Sequence, residues 1–297
     1  MEIKKNNLSK KLYLLAIASI LLSISVLINS CEDPVPVAYV QQTYVQGFLL
    51  VDSPIQNILI MNSQPVTDSF NIKTSIVKDA TVKITGDGRE FDLVIDTTGT
   101  QGYYFPDSTY LVKSGITYKL EIKLKNNTLI TGETTTPIKT QWIEKTPYFI
   151  NYPKDTIKLP PLDSVKLHWD TVHSTDYYLI SVRCLDTLYY GKYLSPPTNE
   201  MNRRIGYEPG MVYRPRDVTS WNVIPTTQTP IVWNVFKWYG LQEVSIYAPD
   251  YNYLRWFIQY IENNQYNPLL SSVKGGIGVF GSASVIRDTS FLIKNQP

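Results

Sequence analysis

The stretch Tyr118–Ile130, YKLEIKLKNNTLI, decides the fold. From Tyr118 to Lys125 apolar and charged residues alternate without a break, so Tyr118, Leu120, Ile122 and Leu124 share one face and four charged residues share the other. A period of two marks a half-buried strand, because successive side chains leave a pleated backbone on opposite sides. Asn126-Asn127 tolerates positive φ and predicts a two-residue turn, which returns Leu129 opposite Leu124 on the buried face.

Upstream, ATVKITGDGREFDLVID (residues 80–96) reads as a second hairpin, with Val82 and Ile84 inward, a turn at Gly86-Asp87-Gly88, and Phe91, Leu93 and Ile95 returning. YVQGFLLVD and QNILIM add further strands before it. Short strands joined by turns, with no helical period between them, predict an antiparallel β-sandwich over residues 38–138. The order DATVKIT, GYYFP, SGITYKLEI resembles transthyretin-like and Ig-like modules of exported proteins, a resemblance that implies a fold and no activity.

GETTTPIKTQ is polar, threonine-rich and broken by Pro137, so a second domain is expected over residues 139–297. In SVKLHWD the residues Val165, Leu167 and Trp169 alternate inward, and in DYYLISVRC so do Tyr178, Ile180, Val182 and Cys184. This pair resembles the B and C strands of fibronectin type III domains. It places Cys184 inside, where a thiol is inert. Between residues 195 and 230 the pattern dissolves into a proline-rich, aromatic insertion, and a patternless stretch of that length is a place for function. Tyr189, Tyr190, Tyr193, Tyr207, Tyr213 and Trp221 are the candidate stacking surface for a small molecule, sugar, peptide or partner; the competing reading is that they pin the loop to the sandwich. DYNYLRWFIQYIENN then carries Leu254, Phe257, Ile258 and Ile261 on one helical face, with Asp250 at the N-cap position, predicting one helix over 250–263. The expected class is mainly β: two β-sandwich domains and one helix near the C-terminus.

Chemical motifs are few. GIGVFG (Gly276–Gly281) has the spacing of a dinucleotide loop, yet sixteen residues remain after it and they read as strand, so a glycine-kinked final strand is expected. His168 and His173, five apart, would leave a strand on opposite faces and make a poor metal pair, and no cofactor, metal or catalytic residue is expected. A carboxylate pair hidden among scattered acids keeps a hydrolase as an alternative. Asp followed by Ser or Thr and a small or aliphatic residue resembles the O-glycosylation sequon of exported Bacteroidetes proteins, at Thr97, Ser108, Thr156, Ser164, Thr171 and Thr187. Such pairs also arise from turn chemistry alone.

The start of the chain sets the address. Lys4, Lys5, Lys10 and Lys11 precede an apolar run from Leu12 to Ile28, shorter than the roughly 20 residues a span needs. Ile28-Asn29-Ser30-Cys31 resembles a bacterial lipobox, which implies a signal peptide over residues 1–30, lipid on Cys31 and a tether over 31–37. Glu32 and Asp33 resemble a surface-export signal of Bacteroidetes lipoproteins, so the expectation is an outer-membrane, lipid-anchored protein facing the cell surface, with the periplasmic face as the alternative. Removing residues 1–30 takes four of 28 basic and one of 26 acidic side chains, leaving a near-neutral chain with no footprint for nucleic acid. With Cys31 acylated, Cys184 has no disulfide partner.

Along its length the chain resembles a Bacteroidetes outer-membrane lipoprotein family known as a domain of unknown function (4249 type), through CEDPVPV, VQGFLLVDSPIQNILIMNSQPVTD, VKDATVKIT, GITYKLEI and YLRWFIQYIENNQYNPLLSSVKGGIGVFGSAS. The genes of that family commonly lie beside those of TonB-dependent receptors. The resemblance implies a non-enzymatic accessory or ligand-capture partner of such a receptor, and carries over no catalytic residue. A structural or adhesive surface lipoprotein is the alternative.

Overall fold

Alternation survives where a sheet has one wet face and disappears where both faces are covered. In the computed structural model, which describes residues 39–65, 67–98, 100–153, 166–206, 218–263 and 270–294, sixteen strands fall into three sheets. The central sheet runs β12 (Thr219–Ile224), β11 (Tyr178–Cys184), β14 (Gly240–Pro249), β16 (Ile277–Ile293), β1 (Thr43–Leu50) and β2 (Leu59–Asn62), with β9 (Phe149–Asn151) beside the far end of β16. A six-stranded sheet runs β15 (Val273–Lys274), β7 (Leu129–Thr135), β6 (Thr117–Lys123), β3 (Thr81–Gly86), β4 (Arg89–Ile95) and β5 (Tyr103–Tyr104). The third holds β13 (Gln228–Pro230), β10 (Lys166–Trp169) and β8 (Trp142–Glu144). A one-turn helix α1 (Ile72–Ser75) and the longer α2 (Tyr251–Asn263) complete the elements that matter here. The protein is therefore mainly β and built as sandwiches.

Strand β6 alternates exposed and buried residues throughout, as YKLEIK demands, and Tyr118, Leu120 and Ile122 are sealed. The β3–β4 hairpin also follows its sequence: Asp87 and Gly88 both take positive φ, a two-residue turn that sets Ile84 opposite Phe91. The β6–β7 hairpin does not. The Leu124 N–H donates to the Thr128 carbonyl across a three-residue loop that ends with Asn127 in the left-handed region. One extra loop residue shifts the register, because side chains alternate with a period of two. Lys123 thus pairs with Leu129 and Ile122 with Ile130, so Ile130 is buried and Leu129 is half exposed.

The expected boundary at 138/139 does not sort the strands. The first strand, β1, lies parallel to the last, β16, with Val45 beside Gly278, and β15 joins β7 in the six-stranded sheet. Two cores nevertheless form along one face of the central sheet. Val45, Leu49, Ile60 and Phe280 pack on the six-stranded sheet with Phe91, Tyr118 and Ile122. Val244, Ile246 and Leu292 pack on the three-stranded sheet with Leu167 and Trp169. Phe280 and Ile286, six residues apart on β16, touch the two cores in turn. Each such side chain contributes about 1.5–3 kcal/mol when fully buried. Strands β10 and β11 lie in facing sheets, with the Trp169 and Tyr178 rings 5.4 Å apart.

The opposite face of the central sheet is covered by α2, whose Tyr253, Leu254 and Phe257 pack on Leu179 and Ala283. That second cover is why β11 is buried at Leu179 and Ser181 as well as at its expected inward positions. Asp250 caps α2 as its position foretold: its Oδ1 accepts from the Tyr253 N–H (2.8 Å) and the Ser282 N–H (3.0 Å), and its Oδ2 accepts from the Thr134 hydroxyl (2.5 Å). One carboxylate so joins β7, β16 and the helix. The glycine run serves this junction. At Gly278, φ is +128° and an added Cβ would fall 1.9 Å from the Val45 carbonyl oxygen; at Gly281 it would meet the Tyr253 nitrogen at 2.8 Å. Gly278 and Gly281 admit β1 and the start of α2 to close range, and from Ile277 onward the run lies within β16, the glycine-kinked final strand that was expected.

The insertion expected over 195–230 contains β12 and β13. Thr219–Ile224, TSWNVI, hides its strand character because Ser220 and Asn222 occupy inward positions where a core strand would carry apolar side chains. Residues 207–217 of the insertion lie outside the described residues, as do the signal segment, Cys31 and the tether.

Candidate ligand cavity

Where β11 and β12 meet the cover formed by β13 and the turn after it, the second core leaves a cavity of about 250 Å³. Antiparallel pairing sets Val182 beside Ser220 and Ile180 beside Asn222, so these four, with Val244 of β14, form one wall. Leu167, Thr229, Pro230, Ile231, Val235 and Phe236 form the other. The cover is held by large rings: Trp233 and Phe236 are buried, and Tyr152 meets Trp233 edge-on at 5.8 Å.

Among the described residues the lining is apolar apart from Ser220, Asn222, Thr229 and Asn234, and none of them is charged. Thr229 donates its hydroxyl to the Pro230 carbonyl at 3.0 Å. The Ser220 hydroxyl oxygen is sequestered from solvent and has no hydrogen-bond partner. Buried hydroxyls are nearly always bonded, since losing water without replacement costs about 1–3 kcal/mol. Ser220 is thus a polar group without a protein partner, on a residue that lines the cavity. Sequence reading passed over Ser220 and Asn222; the signal available was period-two alternation in TSWNVI with polar residues on the side opposite Trp221 and Val223.

Of the aromatic candidates, Tyr189, Tyr190, Tyr193 and Trp221 do not line this cavity; the three tyrosines cluster around Lys192 and Phe291, and Trp221 stands apart from them. Trp221 points to the other face of the sheet, 5.1 Å from Phe257 of α2 and 5.3 Å from Tyr247. Tyr190 is buried on Phe291 at 5.0 Å, its hydroxyl accepting from the Lys294 N–H. Tyr193 lies 6.0 Å from the same ring and donates to Asp186 Oδ2 at 2.9 Å. Tyr190 and Tyr193 therefore pin their loop. Tyr189 is half exposed beneath the Lys192 ammonium, next to exposed Leu188 and Met201. Tyr207 and Tyr213 lie outside the described residues. Burial pushes the Asp186 carboxyl up, but bonds from Lys192, the Tyr189 N–H, the Tyr193 hydroxyl and the Leu188 N–H outweigh it and hold it down to about 2.

Several sequon aspartates act as turn caps. Asp96 and Asp107 accept from the N–H and hydroxyl of Thr98 and Thr109, and Asp186 accepts from the N–H groups of Leu188 and Tyr189. Their neighbours Thr97 and Ser108 stand exposed, as does Thr171, while Thr187 is half-buried. Thr156 and Ser164 lie outside the described residues. Among the described residues no three His, Cys, Asp or Glu side chains assemble as metal ligands, and no helix is long and apolar enough to cross a membrane. Cys184 is buried, and desolvation raises its thiol above the ordinary range.

Fold and cavity together define a sandwich-built β protein with a small pocket between sheets, lined among the described residues by uncharged side chains. The chain belongs to the family described as a domain of unknown function (DUF4249), whose model matches residues 32–289. No curated protein matches it.

Proposed function

We propose that this protein is a lipid-anchored accessory of the outer membrane that captures a small ligand for a TonB-dependent receptor. One observation supports the capture step above others: a cavity walled, among the described residues, by apolar side chains, hydroxyls and amides, with no acid, base or metal ligand among them. Such a wall can bind and orient a molecule, and offers nothing to transfer a proton or polarise a bond. Anchoring is supported by Cys31 at the end of its lipobox. Each buried CH₂ contributes about 0.8 kcal/mol and a single chain is marginal, so several acyl chains on one cysteine hold firmly. The receptor is supported by the family resemblance. In this reading exposed Thr97, Ser108 and Thr171 are candidate glycan acceptors on the solvent side.

The test is affinity purification of the tagged protein from detergent-solubilised envelope, together with metabolic labelling by palmitate. The expected result is a large β-barrel co-purifying with a labelled protein, and loss of label and of membrane association in Cys31→Ala. An unlabelled protein that stays with the envelope as Cys31→Ala refutes the anchor. A labelled protein with no barrel beside it refutes the receptor.

A further inference from the structure

The cavity between β11–β12 and the Thr229–Phe236 cover also specifies what it can hold. Resting on the capture reading above, we infer that its ligand is a compact, uncharged, largely hydrocarbon molecule of about ten non-hydrogen atoms, with one hydroxyl or carbonyl seated on the Ser220 hydroxyl.

Size comes from volume. An apolar cavity of about 150 Å³ takes a benzene molecule. The 250 Å³ here is larger in proportion, which admits about ten non-hydrogen atoms. The described wall disfavours charge: with no charged side chain among the described lining residues, an ionised ligand would lose hydration and gain no counter-charge from them. The single polar end comes from Ser220, whose hydroxyl oxygen has no protein partner where it stands and meets the ligand after rotation about its Cα–Cβ bond. Ser220 lies beside Val182 in the β11–β12 register, so the ligand's polar group sits there while its hydrocarbon part lies against Ile180, Val244 and Phe236. A sugar of the same volume carries a hydroxyl on nearly every carbon, and this wall cannot satisfy them. A peptide brings a donor and an acceptor with every residue and fails for the same reason.

The full-length protein in lipid nanodiscs is titrated calorimetrically with 4-propylphenol, propylbenzene and 4-propylbenzoate, with empty nanodiscs as the blank. The phenol is expected to bind, the hydrocarbon to bind more weakly, and the carboxylate not to bind. Ser220→Ala should weaken the phenol about fivefold and leave propylbenzene unchanged. Val182→Trp fills the cavity and should abolish both; Asn222→Trp, at a less buried part of the wall, repeats the block should Val182→Trp fail to fold. Binding of the carboxylate as tight as the phenol, an unchanged phenol affinity in Ser220→Ala, or full binding in a filled variant that keeps its circular dichroism overturns the inference. If no probe binds while a receptor still co-purifies, the ligand class is wrong and the accessory reading stands. If the phenol binds as described and no receptor is found, the cavity stands and the accessory reading falls.

Discussion

Replacing Asp250 by alanine is expected to destabilise the fold by about 2–4 kcal/mol, and the magnitude follows from three bonds. Loss of the side chain that accepts from the Tyr253 N–H removes a helix N-cap, worth about 1 kcal/mol. The Ser282 N–H, inside a fully buried residue of β16, loses its carboxylate partner, which costs about 1–3 kcal/mol. The Thr134 hydroxyl loses least, because Ser282 Oγ lies 2.7 Å away and can accept in place of the carboxylate. For a chain of this size the melting temperature should fall by roughly 4–16 °C. Asp250→Asn keeps an acceptor for both N–H groups and should cost less than about 1 kcal/mol. The pair also differs in pH dependence. Burial is the largest influence on the Asp250 carboxyl and raises it above the ordinary range, against the hydrogen bonds from Thr134, Ser282 and Tyr253. The folded state therefore holds that proton more tightly than the unfolded chain. Its contribution falls as pH rises from the unfolded pKa of 3.8 to the raised folded value, and recovers on acidification. Denaturant melts of wild type, Asp250→Asn and Asp250→Ala across that window provide the assay, and wild type should gain on Asp250→Asn as pH falls. An alanine variant as stable as wild type, or an asparagine variant as damaged as alanine, would refute the junction.

Three further expectations concern register, close packing and thiol chemistry. Leu129→Lys should change stability by no more than about 0.5 kcal/mol, whereas Ile130→Ala should cost about 2–5 kcal/mol; a reversed order in urea melts would restore the two-residue turn. Gly278→Ala combines a left-handed φ with a Cβ driven onto the Val45 carbonyl, so strand β1 should detach and amides of Tyr44–Leu50 should lose protection from hydrogen exchange. Protection equal to wild type there would contradict the parallel pairing. Cys184 should resist iodoacetamide in the folded protein at neutral pH and react on unfolding, read by mass spectrometry of its peptide, and rapid labelling of the native state would contradict its burial.

Local alternation was sufficient to find β3, β4, β6, β10 and β11, the buried tryptophan at 169 and the inward thiol at 184, since a strand with one dry face writes its period directly into the chain. The helix and its Asp250 cap were equally legible, being local in the same sense. The hairpin at Asn126-Asn127 marks the limit: a turn can be recognised by composition, but its length, set by whether Asn127 alone takes positive φ, is decided by the strands that must close around it. Strand β12 and its Ser220 were hidden for another reason. Polar residues face inward there because the packing of two sheets leaves space beside them, and that space belongs to residues 40 or more positions apart in places. What the sequence determined by itself was the β character and the faces of its clearest strands. Only the tertiary structure decided that the first strand lies along the last, that the glycines admit it, and that a pocket forms between the sheets, because each depends on which distant surfaces come into contact and how closely they can pack.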